Sequence, residues 1–187
     1  MRTTLKTFAT VAAAIVVIAL QPDPAASSTS GWATGARPGP KAIYNMVTNE
    51  CVDIPNFGPG TIDGPVLQYY CNLTNSDNQL FYLDYAGTNS SSRTLYTIRN
   101  VKDGLCLDVP GFERVSAGTL VSEYHCDRSS RDNQAFYLGS NGWIVNDKSE
   151  LCLDVDGVRS GGPGARITLY HCRLDDDHRW KIIDGVA

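Results

Sequence analysis

The chain has 187 residues, a formal net charge of −4 at neutral pH and six cysteines. This length corresponds to one ordinary domain and argues against a multidomain enzyme. The acidic balance, with no cluster of basic residues, excludes nucleic acid as the main partner.

Residues 1–26 have the layout of a secretory signal peptide. Arg2 and Lys6 precede an apolar run from residue 8 to residue 20, and small residues follow up to Ala26. The apolar run is shorter than the roughly 20 residues that a membrane-spanning helix needs. We therefore expect a secreted, extracellular protein that is cleaved near Ala26 and has no membrane span.

Residues 27–41 are rich in Ser, Gly and Pro and are predicted to form a flexible lead-in. The remainder consists of three copies of one pattern, at approximately 42–94, 95–140 and 141–187. In every copy two cysteines are 20 positions apart, an Asp follows the first by two, and a Tyr precedes the second by two. In the first two copies an Asn follows the second cysteine by seven, and in the third Asp177 follows it by five. Such spacing identifies an internal repeat that governs both fold and function.

Six cysteines in a secreted chain imply a disulfide framework, and the sequence alone leaves fifteen pairings open. If the three copies are structurally equivalent, the pairing that respects the repeat joins the two cysteines of each copy. These pairs are Cys51–Cys71, Cys106–Cys126 and Cys152–Cys172. A zinc site would need thiolates about two to four residues apart, and the chain has no such pair. We assign no metal and no cofactor.

Each copy carries the signals of four short strands. The first strand is an Ile-x-Asn triplet: Ile43-Tyr44-Asn45, Ile98-Arg99-Asn100 or Ile144-Val145-Asn146. The second contains Cys-x-Asp, the third has a β-branched residue five positions before the second cysteine, and the fourth contains a Gln-x-aromatic segment. Because helical periodicity is absent, about twelve strands in a closed all-β architecture are predicted. Extra residues in the first copy, within 84–94, are expected to form a longer surface hairpin loop.

Three copies of Cys-x-Asp, aromatic-x-Cys and Gln-x-Trp/Phe resemble the ricin B-chain type lectins and the related family 13 carbohydrate-binding modules. The resemblance covers residues 42–187. It implies a β-trefoil with pseudo-threefold symmetry, in which Phe81, Phe136 and Trp180 fill the core. It also implies a non-catalytic protein that binds galactose- or xylose-type sugars, in a polysaccharide or glycoconjugate, through up to three shallow sites.

Sugar-contacting residues follow from the resemblance copy by copy. They are Asp53, Tyr69, Asn78 and Gln79 in the first site, Asp108, Ser122, Tyr124, Asn133 and Gln134 in the second, and Asp154, Thr168, Tyr170, Asp177 and His178 in the third. A tyrosine ring can lie on the apolar face of a pyranose, and a carboxylate can accept hydrogen bonds from two hydroxyls. The glutamine is expected to support the aspartate. A structural alternative stays open, because aspartates also cap turns and amides tie loops together.

Departures from the family pattern rank the sites. Many members have Gln four residues before the second cysteine, where this chain has Leu67, Ser122 and Thr168. Leucine offers no hydrogen bond, so the first site loses a polar contact. The third site replaces amide donors with Asp177 and His178. We therefore expect the second site to be the best sugar binder and the third the most doubtful.

Two other classes of function compete with sugar binding. A glycosidase needs two carboxylates about 5–10 Å apart with one in an apolar setting. The run Asp175-Asp176-Asp177 is adjacent in sequence and expected to be solvated, and Gly-x-Ser-x-Gly is absent, so no enzyme is predicted. The rival hypothesis is an extracellular β-trefoil that mediates a protein–protein interaction, as a toxin-type subunit or an inhibitor. The altered positions Leu67, Asp177 and His178 favour it. In either case we expect a monomer.

Overall fold

The computed structural model describes residues 39–159 and 161–185. The predicted signal peptide, and the predicted lead-in up to residue 38, lie outside the described residues. Within the described ranges, no helix is long and apolar enough to span a bilayer. The first strand begins at Lys41, one residue before the predicted start of the repeats.

Thirteen β-strands form the described part of the chain, in three groups that follow the sequence repeat. The first repeat contains β1 (Lys41–Asn45), β2 (Cys51–Asp53), β3 (Leu67–Tyr69) and β4 (Phe81–Thr88). The second contains β5 (Thr94–Asn100), β6 (Cys106–Asp108), β7 (Thr119–Leu120), β8 (Ser122–Tyr124) and β9 (Phe136–Leu138). The third contains β10 (Ile144–Asn146), β11 (Leu151–Val155), β12 (Ile167–Tyr170) and β13 (Trp180–Asp184). The predicted all-β class is confirmed, and the short β7 is the strand that the repeat pattern did not predict.

The strands of each repeat pair in the same way. The strand with Cys-x-Asp lies antiparallel between the Ile-x-Asn strand and the strand that carries the tyrosine. The last strand of the chain then returns to the first, because β13 pairs with β1 from Lys41 opposite Asp184 to Asn45 opposite Trp180. This pairing closes the sheet and covers edges that would otherwise be exposed. The fold is a β-trefoil.

One hydrophobic core receives equivalent residues from all three repeats. Its members include Val52, Leu107 and Leu153 between each Cys and Asp, Val66, Val121 and Ile167 three residues before each tyrosine, and the aromatic residues Phe81, Phe136 and Trp180. Strand alternation explains the first set, since the residue between Cys and Asp points to the opposite face. Trp180 also donates its indole N–H to the Leu153 carbonyl at 2.8 Å. The predicted core positions of the three aromatic residues are confirmed.

Each repeat is cross-linked by one disulfide, and the predicted pairing is confirmed. The bonds are Cys51–Cys71, Cys106–Cys126 and Cys152–Cys172. In each case the bond joins the second strand to the segment just after the tyrosine strand, and it closes a loop with a sequence separation of 20. In the chain-entropy account, each closure disfavours the unfolded chain by about 3 kcal/mol.

The extra residues of the first copy lengthen two strands and add little loop. β4 and β5 pair from Phe81 opposite Asn100 to Thr88 opposite Thr94, with a bulge between Tyr85 and Gly87. Only residues 89–93 connect the two strands. The prediction of a surface loop over 84–94 is therefore wrong for most of its length. The aromatic and threonine residues of this segment favour paired strand, which explains the difference.

Three buried asparagines link the repeats to one another in a ring. The last residue of each Ile-x-Asn strand is fully buried and donates its side-chain amide to a backbone carbonyl of the preceding repeat. The bonds run from Asn45 to Asp177 at 2.6 Å, from Asn100 to Asn78 at 2.6 Å and from Asn146 to Asn133 at 2.5 Å. Each side-chain oxygen accepts an N–H of the turn that follows its own strand: Val47, Lys102 or Ser149. Every repeat is thereby bonded to its neighbour.

Replacing Asn100 with alanine is expected to lower the free energy of unfolding by about 2–3 kcal/mol, because the Asn78 carbonyl and the Lys102 N–H each lose a buried partner. Urea denaturation monitored by tryptophan fluorescence measures this change. The matched control is Asn75→Ala at an exposed side chain, expected to change stability by less than about 0.5 kcal/mol. If the two variants are equally stable, the asparagine ring does not hold the repeats together.

Candidate functional site

Each repeat presents a buried aspartate beside an exposed tyrosine on one face of the sheet. The aspartates Asp53, Asp108 and Asp154 are only 5–6% exposed, whereas Tyr69, Tyr124 and Tyr170 are 39–46% exposed. In the strand register, each aspartate lies opposite the residue two positions before the tyrosine. Because alternate residues share a face, the carboxylate and the ring are diagonal neighbours. The structure therefore brings together the predicted Asp–Tyr pair in every copy.

A second ring braces each tyrosine. Tyr70, His125 and His171 follow the three tyrosines and contact them edge to face, with centroid separations of 5.2, 5.5 and 5.6 Å. The sequence pattern showed an aromatic or His residue before each second cysteine, but strand alternation predicts that it faces away from the tyrosine. The contact is possible because the strand ends at the tyrosine, so alternation no longer applies to the residue after it.

In the first site a buried glutamine holds the aspartate in place. The Gln79 side-chain amide donates to Asp53 Oδ1 at 3.0 Å and to the Tyr70 carbonyl at 3.0 Å. Its oxygen accepts the Asn72 N–H at 2.7 Å. Gln79 is fully buried, so it positions the carboxylate and does not itself reach the surface. Burial raises the pKa of Asp53 to about 6, although the hydrogen bond from Gln79 opposes this shift.

The second site repeats this arrangement. Gln134 donates to the His125 carbonyl at 2.9 Å and accepts the Asp127 N–H at 2.8 Å. Burial raises the pKa of Asp108 to about 6, and the hydrogen bond from Gln134 again lowers it in part. Ser122 is half-buried and lies opposite Asp108 in the strand register, where the first site has Leu67. The second site thus keeps a hydroxyl beside its carboxylate.

The third site is built differently. His178 takes the place of the glutamine, and its Nε2 lies 3.0 Å from Asp154 Oδ1 and 3.5 Å from Asp176 Oδ2. The Thr168 hydroxyl donates to Asp154 Oδ2 at 2.7 Å. Asp177 accepts the Val155 N–H at 3.3 Å, and burial together with Asp154 raises the pKa of Asp177 to about 7. Three carboxyl groups and one imidazole therefore meet at this position.

The expectation that Asp175, Asp176 and Asp177 are solvated is wrong for two of the three. Asp175 is exposed, but Asp176 is 5% exposed and Asp177 is fully buried. The reason is local, because Asp176 Oδ1 accepts the N–H of Arg159 and that of Asp177, both at 3.1 Å. These bonds draw the acidic segment inward beneath the loop after β11.

Asn78 and Asn133 are placed beneath a loop and not at the surface. Both are 1% exposed. The Asn78 amide donates to the carbonyls of Asn56 and Gly58 at 2.9 and 2.8 Å, and the Asn133 amide donates to the Glu113 carbonyl at 3.0 Å. Both amides hold the loop that follows the Cys-x-Asp strand, and their contact with a sugar stays a prediction. The loop contacts correspond to the structural alternative for the Asn-Gln pairs.

Sequence reasoning missed two exposed aromatic residues on these loops. Phe57 is 71% exposed and Phe112 is 68% exposed, and each is the sixth residue after the first cysteine of its copy. Asn78 bonds the carbonyls on both sides of Phe57, so the loop backbone that carries this ring is held in place. The third copy has Val158 there, also 68% exposed. An apolar residue at one repeat position within a loop of Gly, Pro and polar residues was the available signal.

Two family models match the chain, and no curated protein sequence does. The model described as "Ricin-type beta-trefoil lectin domain" matches residues 94–186. The model described as "Ricin-type beta-trefoil lectin domain-like" matches residues 32–124. The two matches overlap in the second repeat and together extend over residues 32–186.

Solved structures with the same fold include a designed protein, a lectin and an enzyme. ThreeFoil, a designed 3-fold symmetric protein, is 24% identical with a TM-score of 0.65, covering 78% of this chain and 99% of that one. The C-half of the earthworm R-type lectin, in complex with GalNAc, is 17% identical with a TM-score of 0.55, covering 78% and 98%. The exo-beta-1,3-galactanase of Clostridium thermocellum is 21% identical with a TM-score of 0.65, covering 80% of this chain but 31% of the enzyme. These likenesses show the fold.

Proposed function

Because this chain belongs to the ricin-type β-trefoil lectin domains, we propose that it is a secreted, non-catalytic protein that binds galactose- or xylose-type sugars of a polysaccharide or glycoconjugate. Family membership supports carbohydrate binding. The observation that carries the proposal for this chain is the buried aspartate beside an exposed tyrosine, present in all three repeats. The likeness to the galactanase concerns 31% of that enzyme and does not extend its activity to this chain.

The exposed tyrosine and the carboxylate have complementary roles toward a pyranose. The ring offers a flat apolar surface for the C–H face of the sugar, and stacking of this kind contributes about 1 kcal/mol. The carboxylate accepts hydrogen bonds from two neighbouring hydroxyls, each contributing about 1.5–3 kcal/mol. These contributions amount to about 4–7 kcal/mol before the entropy of association is subtracted, so a single site is expected to bind a sugar only weakly. Several sites on one rigid body then gain about 10²-fold on a polysaccharide.

The local contacts support the ranking of the three sites. In the first two, a neutral glutamine supports the aspartate. The second site adds the Ser122 hydroxyl, where the first has Leu67. In the third, both oxygens of Asp154 already face protein groups, namely His178 and Thr168. We therefore place the principal sugar site in the second repeat and the poorest in the third.

We propose that Phe57 and Phe112 extend the first two sites. Each exposed ring stands on a loop that a buried asparagine fixes, so little conformational entropy is lost when a ligand contacts it. A ring on the loop and the tyrosine on the sheet together suit an oligosaccharide better than a single sugar. The third repeat offers only Val158 at this position.

The rival function, binding of a protein partner, is favoured by one observation. The third site departs from a sugar site at Asp177 and His178, both fully buried. The first two sites retain the Asp–Tyr pair, and this is why we prefer the carbohydrate. A glycan array separates the two functions directly.

Wild-type protein is expected to bind galactose- or xylose-containing glycans on an array, and free galactose or xylose should compete. Asp108→Asn should weaken binding by about 10–100-fold, because a charged acceptor of two hydroxyls is replaced. Asp53→Asn should have a smaller effect and Asp154→Asn the smallest. The control is Asp175→Asn, the same charge change at an exposed residue. Absence of binding to any glycan would make the protein-partner function the better hypothesis.

Sugar affinity is expected to fall about tenfold between pH 7.5 and pH 5. Burial raises the pKa values of Asp53 and Asp108 to about 6, so these groups are ionised at pH 7.5 and mostly protonated at pH 5. Protonation removes acceptor capacity that the hydroxyls need. Isothermal titration calorimetry at the two pH values measures this, with circular dichroism as a check that the fold persists. Equal affinity at both pH values would contradict the assigned role of the aspartates.

Phe57→Ala and Phe112→Ala are expected to weaken oligosaccharide binding by about 2–10-fold, the equivalent of one stacking contact of about 0.5–1.5 kcal/mol. Binding of the monosaccharide should change less. Because both rings are exposed, the free energy of unfolding should stay within about 0.5 kcal/mol of the wild type. Val158→Ala in the third repeat is the matched control. Unchanged oligosaccharide affinity would show that the loop rings lie outside the site.

A further inference from the structure

The third repeat contains a buried cluster of potential metal ligands. Asp154 stands near the end of β11, and Asp176 and His178 precede β13. One ligand atom from each of these side chains lies within 4.8 Å of the other two. Asp154 and Asp176 are 5% exposed and His178 is fully buried. Among the described residues, this is the one group of three His, Cys, Asp or Glu side chains with such geometry.

Several polar atoms of this cluster lack a hydrogen-bond partner among the described residues. They are both ring nitrogens of His178 and Asp154 Oδ1, and Asp177 Oδ2, next to the cluster, also lacks a partner. The His178 Nε2 lies 3.0 Å from Asp154 Oδ1, but the two atoms are not aligned as a hydrogen bond. Buried polar groups in folded proteins are nearly always satisfied, if not by protein then by water or an ion. Three unsatisfied atoms in one buried cluster therefore point to a ligand.

The third repeat differs from the first two in the residue that faces the carboxylates. At the position of His178 they have Gln79 and Gln134, whose amides donate and accept hydrogen bonds within the protein. Asp77 and Asp132 correspond to Asp176, so the nearby carboxylates occur in all three copies. The exchange of glutamine for histidine alone supplies a ring nitrogen facing two carboxylates. An amide cannot act as such a nitrogen ligand, because its nitrogen has no free lone pair.

We propose that the third repeat binds one Zn²⁺ ion through His178, Asp154 and Asp176. One imidazole nitrogen and two carboxylate oxygens form a donor set that suits zinc better than Ca²⁺ or Mg²⁺, which prefer oxygen alone. Tetrahedral zinc ligands with bonds of about 2.0–2.2 Å lie about 3.3–3.6 Å from one another. The separations of 3.0 and 3.5 Å from His178 Nε2 to the two carboxylates are close to this value.

Zinc binding gives the third repeat a role that does not depend on sugar binding. The ion engages Asp154, which is then no longer free to accept sugar hydroxyls. It also joins the end of β11 to the segment before β13, the strand that closes the sheet against β1. The ion would therefore stabilise the fold and not the complex with a glycan.

The test is a thermal denaturation of EDTA-treated, dialysed protein with and without Zn²⁺. At a concentration about 100 times the dissociation constant, Zn²⁺ should raise Tm by at least about 5 °C. Calorimetry should give one ion per chain. His178→Gln, which introduces the residue of the other two repeats, should remove the shift and weaken binding at least tenfold. Asp176→Asn is a second variant that should do the same.

Three controls separate this site from adventitious binding. His171→Gln removes an exposed histidine and should leave the Zn²⁺ shift unchanged, and Asp132→Asn makes the equivalent carboxylate change in the second repeat, also without effect. Ca²⁺ in place of Zn²⁺ should produce no comparable shift. The proposal is overturned if Zn²⁺ does not raise Tm, if the shift survives His178→Gln or Asp176→Asn, or if Ca²⁺ matches Zn²⁺. Glycan binding is measured separately, so its failure is distinguishable from failure of the metal site.

Discussion

The ring of buried asparagines couples the closure of the β-trefoil to the geometry of its sites. The carbonyls that Asn45, Asn100 and Asn146 bond belong to Asp177, Asn78 and Asn133, the residues that shape the site of the preceding repeat. Asn78 and Asn133 in turn hold the loops that carry the exposed phenylalanines. One chain of hydrogen bonds therefore runs from the interior of each repeat to the surface of its neighbour. The loops around the sites are therefore tied by hydrogen bonds to the interior of the closed fold.

The aspartates at the centre of these sites reduce the stability of the free protein at neutral pH. Burial raises the pKa of Asp53 and of Asp108 to about 6. The folded state therefore binds protons more tightly than the unfolded state, and stability falls as pH rises from about 4 to about 6. The hydrogen bond from Gln79 limits this cost without removing it. A ligand hydroxyl that donates a hydrogen bond to the carboxylate would offset the rest of this destabilisation. The carboxylate that lowers the stability of the free protein is therefore also the group that we expect to bind the sugar.

Repeat spacing was sufficient to predict the disulfides and the order of strands within each copy, since both depend on positions that all three copies share. The core aromatic residues followed from the resemblance to the ricin-type lectins. Burial of individual polar groups could not be predicted in this way. Asn78 is turned inward by carbonyls of an irregular loop, and Asp176 by the N–H of Arg159 from another loop. These contacts join segments with no periodic pattern. Strand alternation also failed for His125, because the strand ends one residue earlier.

A symmetric backbone lets single residues give the repeats different chemistry. Gln68, Glu123 and Leu169 occupy one equivalent position, and all three are fully buried. Gln68 accepts a hydrogen bond from Thr48, and Leu169 joins the core. The pKa of Glu123 is raised to about 8, first by burial and then by the charge of Asp103, so this carboxyl is largely protonated at neutral pH. This buried strand position thus accommodates an amide, a carboxyl or an alkyl side chain without a change of strand register. At residue 178 the third repeat likewise has a histidine where the other two repeats have a glutamine. This difference changes the ligand that we propose for the site, while the fold stays the same.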